Sequence, residues 1–228
     1  MEKFSLLVRR FRPRLFFLLL FSLWVLIIAG CVRTGKPQAP VEMYLMNYPS
    51  PVFAATDKID ETIRLNRFTI ATAYNSNSMI FRQENYSFDS FNYNRWAVNP
   101  ADMVGDMLLR DLQSANLFRA AFSRYAVDEG RYVVAGGIEE FFLRKDNSGN
   151  AAVLGLNVTL KDTKQRESTK RILFQKKYFR EEALTEQSPR GYCQAMSRAM
   201  QQLSTQIIND IYQGVKVSQN DGKKYTIL

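Results

Sequence analysis

Histidine is absent from this 228-residue chain, and cysteine occurs only twice. The missing imidazole removes the commonest general base, the commonest nitrogen ligand of metal ions and every histidine-dependent triad. The sequence also lacks a Gly-rich phosphate loop, a Gly-x-Ser-x-Gly turn and the paired cysteines of a metal site. We therefore predict no catalytic residue, no metal ligand and no cofactor, and expect that the protein is not an enzyme.

Charge is in modest excess. The formal net charge is +9, but the first 30 residues contain five basic residues and one acidic residue. Subtracting this +4 leaves +5 for the remaining part, which contains no short Lys/Arg run. This pattern excludes the basic footprint of a nucleic-acid-binding protein. The surplus favours an anionic lipid surface or an acidic partner.

Residues 1–30 have the order of a secretory signal: a basic head, an apolar run over residues 15–30 and small residues before a cleavage point. The run ends in Ile28, Ala29 and Gly30, followed directly by Cys31, and this quartet resembles the lipobox of bacterial lipoproteins. The resemblance implies that the Cys31 thiolate takes an S-diacylglycerol group. It also implies that the peptide is cut before Cys31 and that the new N-terminal amine of Cys31 carries a palmitoyl group.

Two other interpretations of this region stay open. An uncleaved membrane helix over the 16 residues 15–30 would be about 24 Å long, which is about one turn short of a 30 Å hydrocarbon core. Cys31 could instead form a disulfide with Cys193, although the lipobox gives Cys31 another use. The lipoprotein interpretation is favoured, and in each case the rest of the chain lies outside the cytoplasm.

The signal peptide is followed by a tether over residues 31–42, which is poor in apolar residues and contains Gly35, Pro37 and Pro40. Residues 43–214 are predicted to form a single folded domain, and residues 215–228 a polar C-terminal tail. Val32 follows the lipobox cysteine at the position where enterobacterial lipoproteins that are retained in the inner membrane tend to have aspartate. Because Val32 stands there instead of aspartate, we expect the protein at the periplasmic face of the outer membrane.

Two amphipathic helices are predicted. Asn99 and Pro100 have the pattern of an N-cap followed by a first-turn proline, and the apolar stripe after them ends near residues 114–116. Ser188 and Pro189 repeat this pattern before a second stripe, and Gly214 lies where a helix stop is expected.

Strands are predicted over residues 63–74, with an irregularity near Asn66 and Arg67, from residue 79, and over residues 117–122, 131–143, 151–160 and 171–179. The paired glycines Gly136 and Gly137 indicate a bulge or a close backbone approach. The predicted fold is an α/β single domain: a mixed, largely antiparallel sheet with two long amphipathic helices packed on it.

Several short motifs resemble the ABC-type transport auxiliary lipoprotein family, which includes the paraquat-inducible protein C lipoproteins. They are Tyr74 with the segment 79–82 (Met-Ile-Phe-Arg), the segment 95–97 (Arg-Trp-Ala) before a helix, and the segment 195–197 (Ala-Met-Ser) in the last helix. The resemblance covers about residues 44–211. It implies a non-enzymatic accessory protein with an α/β domain on a lipid anchor. The implied partners are an MCE-domain tube protein and its ABC transporter, which move phospholipids between the membranes, and some members form rings around the tube.

An aromatic-rich segment follows the second predicted strand, and aromatics and arginine dominate binding hot spots. We predict that Tyr86, Tyr93 and Arg95 face a partner, and add Arg82, for which a solvated strand face is the alternative. Trp96, with Phe81, is predicted to belong to the core. Cys193 is predicted to be a small buried hydrophobe. The adjacent carboxylates Glu139 and Glu140 are expected on opposite faces of a strand, where they cannot act as a pair.

The favoured function is a lipid-anchored, outer-membrane adaptor for a periplasm-spanning lipid-transport partner. The alternative is a regulatory outer-membrane lipoprotein that activates a peptidoglycan synthase, since such activators also carry small α/β domains on tethers.

Overall fold

The computed structural model describes residues 17–18, 20–22, 24, 39–54, 57–84, 86–123, 125–126, 130–147 and 149–224. The chain divides into two units, residues 1–40 and 41–228. In the first unit, residues 17–18, 20–22 and 24 are helical. No helix among the described residues is both long enough and apolar enough to cross a membrane. Most of the signal peptide, nearly all of the tether and the last residues, 225–228, lie outside the described residues.

In the second unit, the structure describes nine strands, three helices and one 3-10 turn. The helices are α1 (Pro100–Ala115), the short α2 (Ser168–Arg171) and α3 (Pro189–Lys224), and a 3-10 turn spans Thr72–Tyr74. The strands are β1 (Glu42–Tyr44), β2 (Ile59–Leu65), β3 (Thr69–Ile70), β4 (Ser78–Glu84), β5 (Ser87–Trp96), β6 (Phe118–Phe122), β7 (Tyr132–Arg144), β8 (Ala151–Asp162) and β9 (Ile172–Ala183).

The long strand β7 is the centre of the sheet. On one side it pairs with β8, which pairs with β9, and both ladders are antiparallel. On the other side it pairs in parallel with β2, β3 and β4. Beyond these, β6 lies beside β2, β5 beside β4 and β1 beside β5. The sheet is mixed, as predicted: the antiparallel ladders are the longest, and the parallel ones are more numerous but short.

Helix α1 forms where its local signals predict it. The side chain of Asn99 accepts a hydrogen bond from the Ala101 amide (2.9 Å), and Pro100 occupies the first turn. The helix ends at Asn116, whose φ of 51° is the left-handed conformation that asparagine adopts readily. The predicted start and end are therefore confirmed.

Helix α3 begins at the predicted proline, but the predicted stop at Gly214 is wrong. The helix continues to Lys224. A methyl group on Gly214 would lie 3.1 Å from Leu160 and 3.3 Å from Phe174, so the glycine permits close packing of the helix on β8 and β9. The next residue, Val215, is fully buried. The apolar stripe thus runs past the glycine, and residues 215–224 are helical where a tail was expected.

The irregularity predicted near Asn66 and Arg67 is confirmed, because the strand is interrupted there. The prediction of a strand up to residue 74 is wrong: the structure has two strands, β2 and β3, followed by a 3-10 turn. Between them, the buried ring of Phe68 lies against β7, where a methyl group on Gly136 would come within 2.4 Å of the ring. The predicted close approach at this glycine is confirmed. The irregularity of β7 lies further along the strand, between Ile138 and Glu140.

This bulge corrects the expectation for the two adjacent carboxylates. Glu139 accepts hydrogen bonds from Asn157 Nδ2 (3.2 Å) and Lys177 Nζ (2.9 Å). Glu140 lies beside Gly155, where a methyl group would be 3.2 Å from the Glu140 Cβ. Because Gly155 and Asn157 alternate on the same face of β8, both carboxylates lie on that face rather than on opposite faces.

The core lies between the sheet and the two long helices. Trp96 packs edge-on against Phe141 of β7 and Tyr192 of α3, with ring centroids 5.3 Å apart in both cases. Trp96 and Phe81 are both buried, which confirms their predicted place in the core. Phe142 is the neighbour of Phe141 on β7 and therefore faces the other side of the sheet.

Candidate interaction surface

The β4–β5 hairpin carries all four of the residues predicted to face a partner. Tyr86, at its tip, is 98% exposed. Tyr93 lies in an irregular part of β5. The two-residue step from Ile80 to Ser78 of β4 is matched there by a five-residue step along β5, from Ser90 to Arg95. Tyr93 is 46% exposed and Arg95 is half-buried. We call Arg82, Tyr86, Phe88, Tyr93 and Arg95 together the hairpin surface.

One face of the hairpin rests on an aromatic cluster. The Arg82 guanidinium lies 4.3 Å from the centre of the Phe142 ring. Tyr74 stacks on the same ring at 6.0 Å and 13°, and Phe88 meets both rings edge-on at 6.0 Å. Arg82 is therefore half-buried and packed by a cation–π contact, which differs from the solvated strand face considered as the alternative.

The other face of the hairpin is held by Lys145, which sequence reasoning missed. Its Nζ lies 3.5 Å from the centre of the Phe81 ring and 4.7 Å from that of Phe91. Burial lowers the pKa of Lys145. The Lys145 amide also donates to the Arg82 carbonyl (2.8 Å). The hairpin is thus fixed on both faces, and its exposed side chains project from a rigid base.

A shallow groove of about 280 Å³ runs along the hairpin. Its lining is small and polar apart from Ile80 and Phe88, and includes Ser76, Ser78, Asp89 and Ser90. Arg95 donates to the Ser78 hydroxyl at 2.5 Å, which fixes its guanidinium beside the groove. The structure therefore places Arg82 near the tip of the hairpin, opposite Phe88, and Arg95 at its open end, opposite Ser78. Tyr86 lies at the tip and Tyr93 in the irregular segment.

The predicted lipid site lies outside the described residues: this concerns Cys31 and the lipobox residues Ile28, Ala29 and Gly30. Within the part of the chain that the structure describes, no cluster of three or more His, Cys, Asp or Glu residues could hold a metal ion. Cys193 is buried, and its thiol donates to the Leu45 carbonyl at 3.2 Å. Burial raises the pKa of Cys193 to about 11, so its predicted character as a buried hydrophobe is confirmed.

A fully buried carboxylate, Asp111 of α1, joins three parts of the fold. It accepts hydrogen bonds from the hydroxyls of Tyr48 (2.8 Å) and Ser204 (2.7 Å) and from Arg110 Nε and Nη2 (3.0 and 2.8 Å). Burial and the Asp111 charge raise the pKa of Tyr48. Since Tyr48 follows β1 and Ser204 belongs to α3, Asp111 fixes the entry segment of the domain to both long helices.

A second buried carboxylate, Asp162, secures the part of α3 beyond Gly214. It accepts two hydrogen bonds from Arg131, at 3.2 and 3.0 Å, and one from the Ser218 hydroxyl at 3.3 Å. Arg131 also pairs with Glu61 of β2 at 2.5 Å. Nothing local in the sequence indicates this network, because its members lie 31 or more residues apart.

Comparison with known proteins gives one family and a shared fold. Residues 44–208 match the sequence model of the family described as the ABC-type transport auxiliary lipoprotein component. The crystal structure of protein XCC0632 from Xanthomonas campestris has a TM-score of 0.71 at 15% identity, over 79% of this chain and 99% of that chain. A structure described only as an uncharacterized protein has a TM-score of 0.60 at 12% identity, over 75% and 99%. Among curated proteins, no sequence matches significantly.

Proposed function

Because the chain belongs to the ABC-type transport auxiliary lipoprotein family, we propose that it is a lipid-anchored, non-enzymatic adaptor of an envelope phospholipid transport system. The observation that carries the proposal is the extent of the family match, which runs over residues 44–208, from β1 into α3. The proposed partner is an MCE-domain tube protein that connects to an ABC transporter. The ring of copies that the family resemblance implies stays a prediction.

In this proposal, Cys31 carries the anchor. Acylation of its thiol and its amine attaches the mature chain to the inner leaflet of the outer membrane. One acyl chain binds a bilayer only marginally, whereas several chains anchor a protein stably. The twelve-residue tether 31–42 spans at most about 40 Å, so the folded domain stays close to the membrane and at the end of a tube that spans the periplasm.

The hairpin surface is the proposed docking site. Exposed tyrosines and half-buried arginines on a rigid base are the side chains that contribute most to binding energy when they enter a partner's pockets. Arg82 and Lys145 fix the hairpin from both faces by contacts with Phe142 and Phe81. Because the base is already ordered, docking costs little conformational entropy in this region.

Site-specific photo-crosslinking in cells tests the proposal. A photoreactive phenylalanine analogue at Tyr86 should capture an MCE-domain protein, identified by mass spectrometry of the crosslinked band. The matched control places the same analogue at Tyr125, another highly exposed tyrosine (78%) that lies outside the hairpin, and should not capture it. Capture of a peptidoglycan synthase from Tyr86 would support the alternative function. Equal capture from both positions, or none from Tyr86, would contradict the docking site.

A further inference from the structure

Strand β9 forms a free edge of the sheet. It pairs with β8 alone among the described strands, and its twelve residues are mostly exposed. A long, unpaired strand edge is a template for pairing with another strand. Two apolar side chains lie exposed on it, Ile172 (49%) and Phe179 (56%).

The ladder with β8 shows which main-chain groups of β9 point outward. The Leu184 amide donates to the Asn150 carbonyl at 3.0 Å, one step beyond the register pair of Ala151 and Ala183. Because bonded and non-bonded pairs alternate in an antiparallel ladder, the even-numbered residues of β9 bond to β8. The odd-numbered residues direct their N–H and C=O groups outward: Gln175, Lys177, Phe179 and Glu181.

Among the described residues, none provides a hydrogen-bond partner for the outward groups of these four residues. The edge ends at Ala183, whose carbonyl accepts a bond from Arg198 Nη2 at 2.8 Å. The free segment is therefore long enough to form a short antiparallel ladder with a second strand.

The charges along β9 are arranged with opposite signs about Phe179. Lys176 and Lys177 precede it, and Glu181 and Glu182 follow it. When this segment pairs with itself in antiparallel orientation about Phe179, Lys177 lies opposite Glu181 and Lys176 lies opposite Glu182. Opposite charges at directly facing positions stabilise a strand pair.

From this self-complementarity, we propose that β9 binds β9 of a second copy of this chain, with Phe179 on the two-fold axis. This register pairs odd-numbered residues with each other, so it joins the outward N–H and C=O groups of both strands. The contact also covers the two exposed Phe179 rings, which face each other across the axis. It is isologous and closes after two copies, unlike the head-to-tail contacts of a ring.

Neighbouring registers are less favourable. Sliding the second strand by two residues in one direction brings Lys176 opposite Arg180. Sliding it by two residues in the other direction brings Arg180 opposite its own copy. Like charges at facing positions destabilise a strand pair, so the charge pattern selects the register centred on Phe179.

Ion pairs within each copy extend the complementarity. Lys177 pairs with Glu139 at 2.9 Å, and Glu181 pairs with Arg144 at 3.2 Å. The lysine side chain is nevertheless 77% exposed and the Glu181 side chain 42% exposed, which leaves both accessible to a second partner. In the dimer, the order across the interface becomes Arg144, Glu181, then Lys177 and Glu139 of the second copy, with alternating signs throughout.

Cysteine crosslinking of the full-length chain in its native membranes tests the contact. In the proposed register, the two Cα atoms of residue 179 lie about 5.5 Å apart, within the range that a disulfide spans. Phe179→Cys should therefore give a disulfide-linked dimer on mild oxidation. The exposed residue Gln175 is the matched control. Two copies of it would lie about 27 Å apart, since eight residues of strand separate them, so Gln175→Cys should stay monomeric, as should the unaltered chain.

Charge reversal in the Phe179→Cys background separates this contact from random collision. Lys177→Glu and Glu181→Lys should each lower the dimer yield about tenfold, because both symmetry-related pairs become repulsive. The double reversal should restore the yield, although it leaves each copy with repulsive neighbours at Glu139 and Arg144. Thermal unfolding of each variant confirms that it is folded. Equal linking at positions 179 and 175, or a folded double variant that is not restored, would overturn the proposal.

Discussion

Replacing Asp111 by alanine is expected to destabilise the domain strongly. The buried carboxylate accepts four hydrogen bonds, from the hydroxyls of Tyr48 and Ser204 and from two nitrogens of Arg110. Loss of the carboxylate leaves the buried hydroxyls of Tyr48 and Ser204 without their acceptor. It also removes the only acidic contact described for Arg110, whose side chain is 34% exposed. Breaking a buried charged pair in this way costs about 3–5 kcal/mol.

The expected change is measurable by denaturation of the full-length chain in detergent, followed by far-ultraviolet circular dichroism. For a domain of this size, 1 kcal/mol corresponds to about 2–4 °C in Tm, so Asp111→Ala should lower Tm by about 10 °C. Asp111→Asn keeps the shape and part of the hydrogen bonding and should cost less, about 1–3 kcal/mol.

The control is Asp106→Ala, which removes an exposed carboxylate from the same helix and should change stability by less than about 0.5 kcal/mol. If Asp111→Ala and Asp106→Ala had the same small effect, the buried network would not hold the entry segment to the helices, and the reasoning would be refuted.

Three further predictions concern single residues. Gly136→Ala should destabilise the fold by about 1–3 kcal/mol, because the added methyl group would lie 2.4 Å from a buried ring. Gly105 lies in α1 with open space around it, so Gly105→Ala should stabilise the fold by up to about 1 kcal/mol in the same denaturation experiment. Equal changes in stability for Gly136→Ala and Gly105→Ala would contradict the packing argument. Burial alone would raise the pKa of Asp162, but hydrogen bonds from Arg131 lower it overall. Ionised Asp162 therefore stabilises the fold at pH values above 3.8, which is the pKa of this residue in the unfolded chain. This contribution is lost as the pH falls through the lower pKa of the folded state. Asp162→Asn should thus make stability less dependent on pH below about 5, and parallel curves for the two proteins would contradict this. The buried Cys193 thiol, with its pKa of about 11, should resist alkylation at pH 8 until the protein unfolds, whereas rapid labelling of the native chain would refute its burial.

Local signals predicted the helix starts because the groups involved are close in sequence. Asn99 caps α1 through an amide two residues away, and the Ser188 hydroxyl accepts from the Gly191 amide at 3.0 Å. Alternation likewise predicted β8. Such features depend on a few neighbouring residues, and tertiary contacts did not override them.

The wrong predictions arise where the same local sequence pattern is compatible with two different structures. Glycine is common at helix ends, so Gly214 was read as a stop, whereas the structure uses its small size for contact with Leu160. Strand alternation placed Glu139 and Glu140 on opposite faces, but the bulge between Ile138 and Glu140 reverses this. Both corrections depend on the position of a neighbouring element, which a local pattern does not contain.

The interaction surface was predicted only in part. The composition of the β4–β5 segment indicated exposed aromatics, and Tyr86 and Tyr93 are exposed. The contacts that make the hairpin rigid were not predicted, because Lys145 and Phe142 come from β7 and the loop that follows it, about 60 residues later. The partner of Asp111 at Ser204 lies 93 residues away. A single sequence gives no indication of such pairings.

Mass spectrometry of the mature N-terminus is the most direct test of the central claim, that this domain acts from a lipid anchor. We predict an N-terminal peptide that begins at Cys31 and carries a diacylglyceryl thioether and an amide-linked acyl chain. A free thiol at Cys31, or a mature chain that begins at another residue, would contradict it.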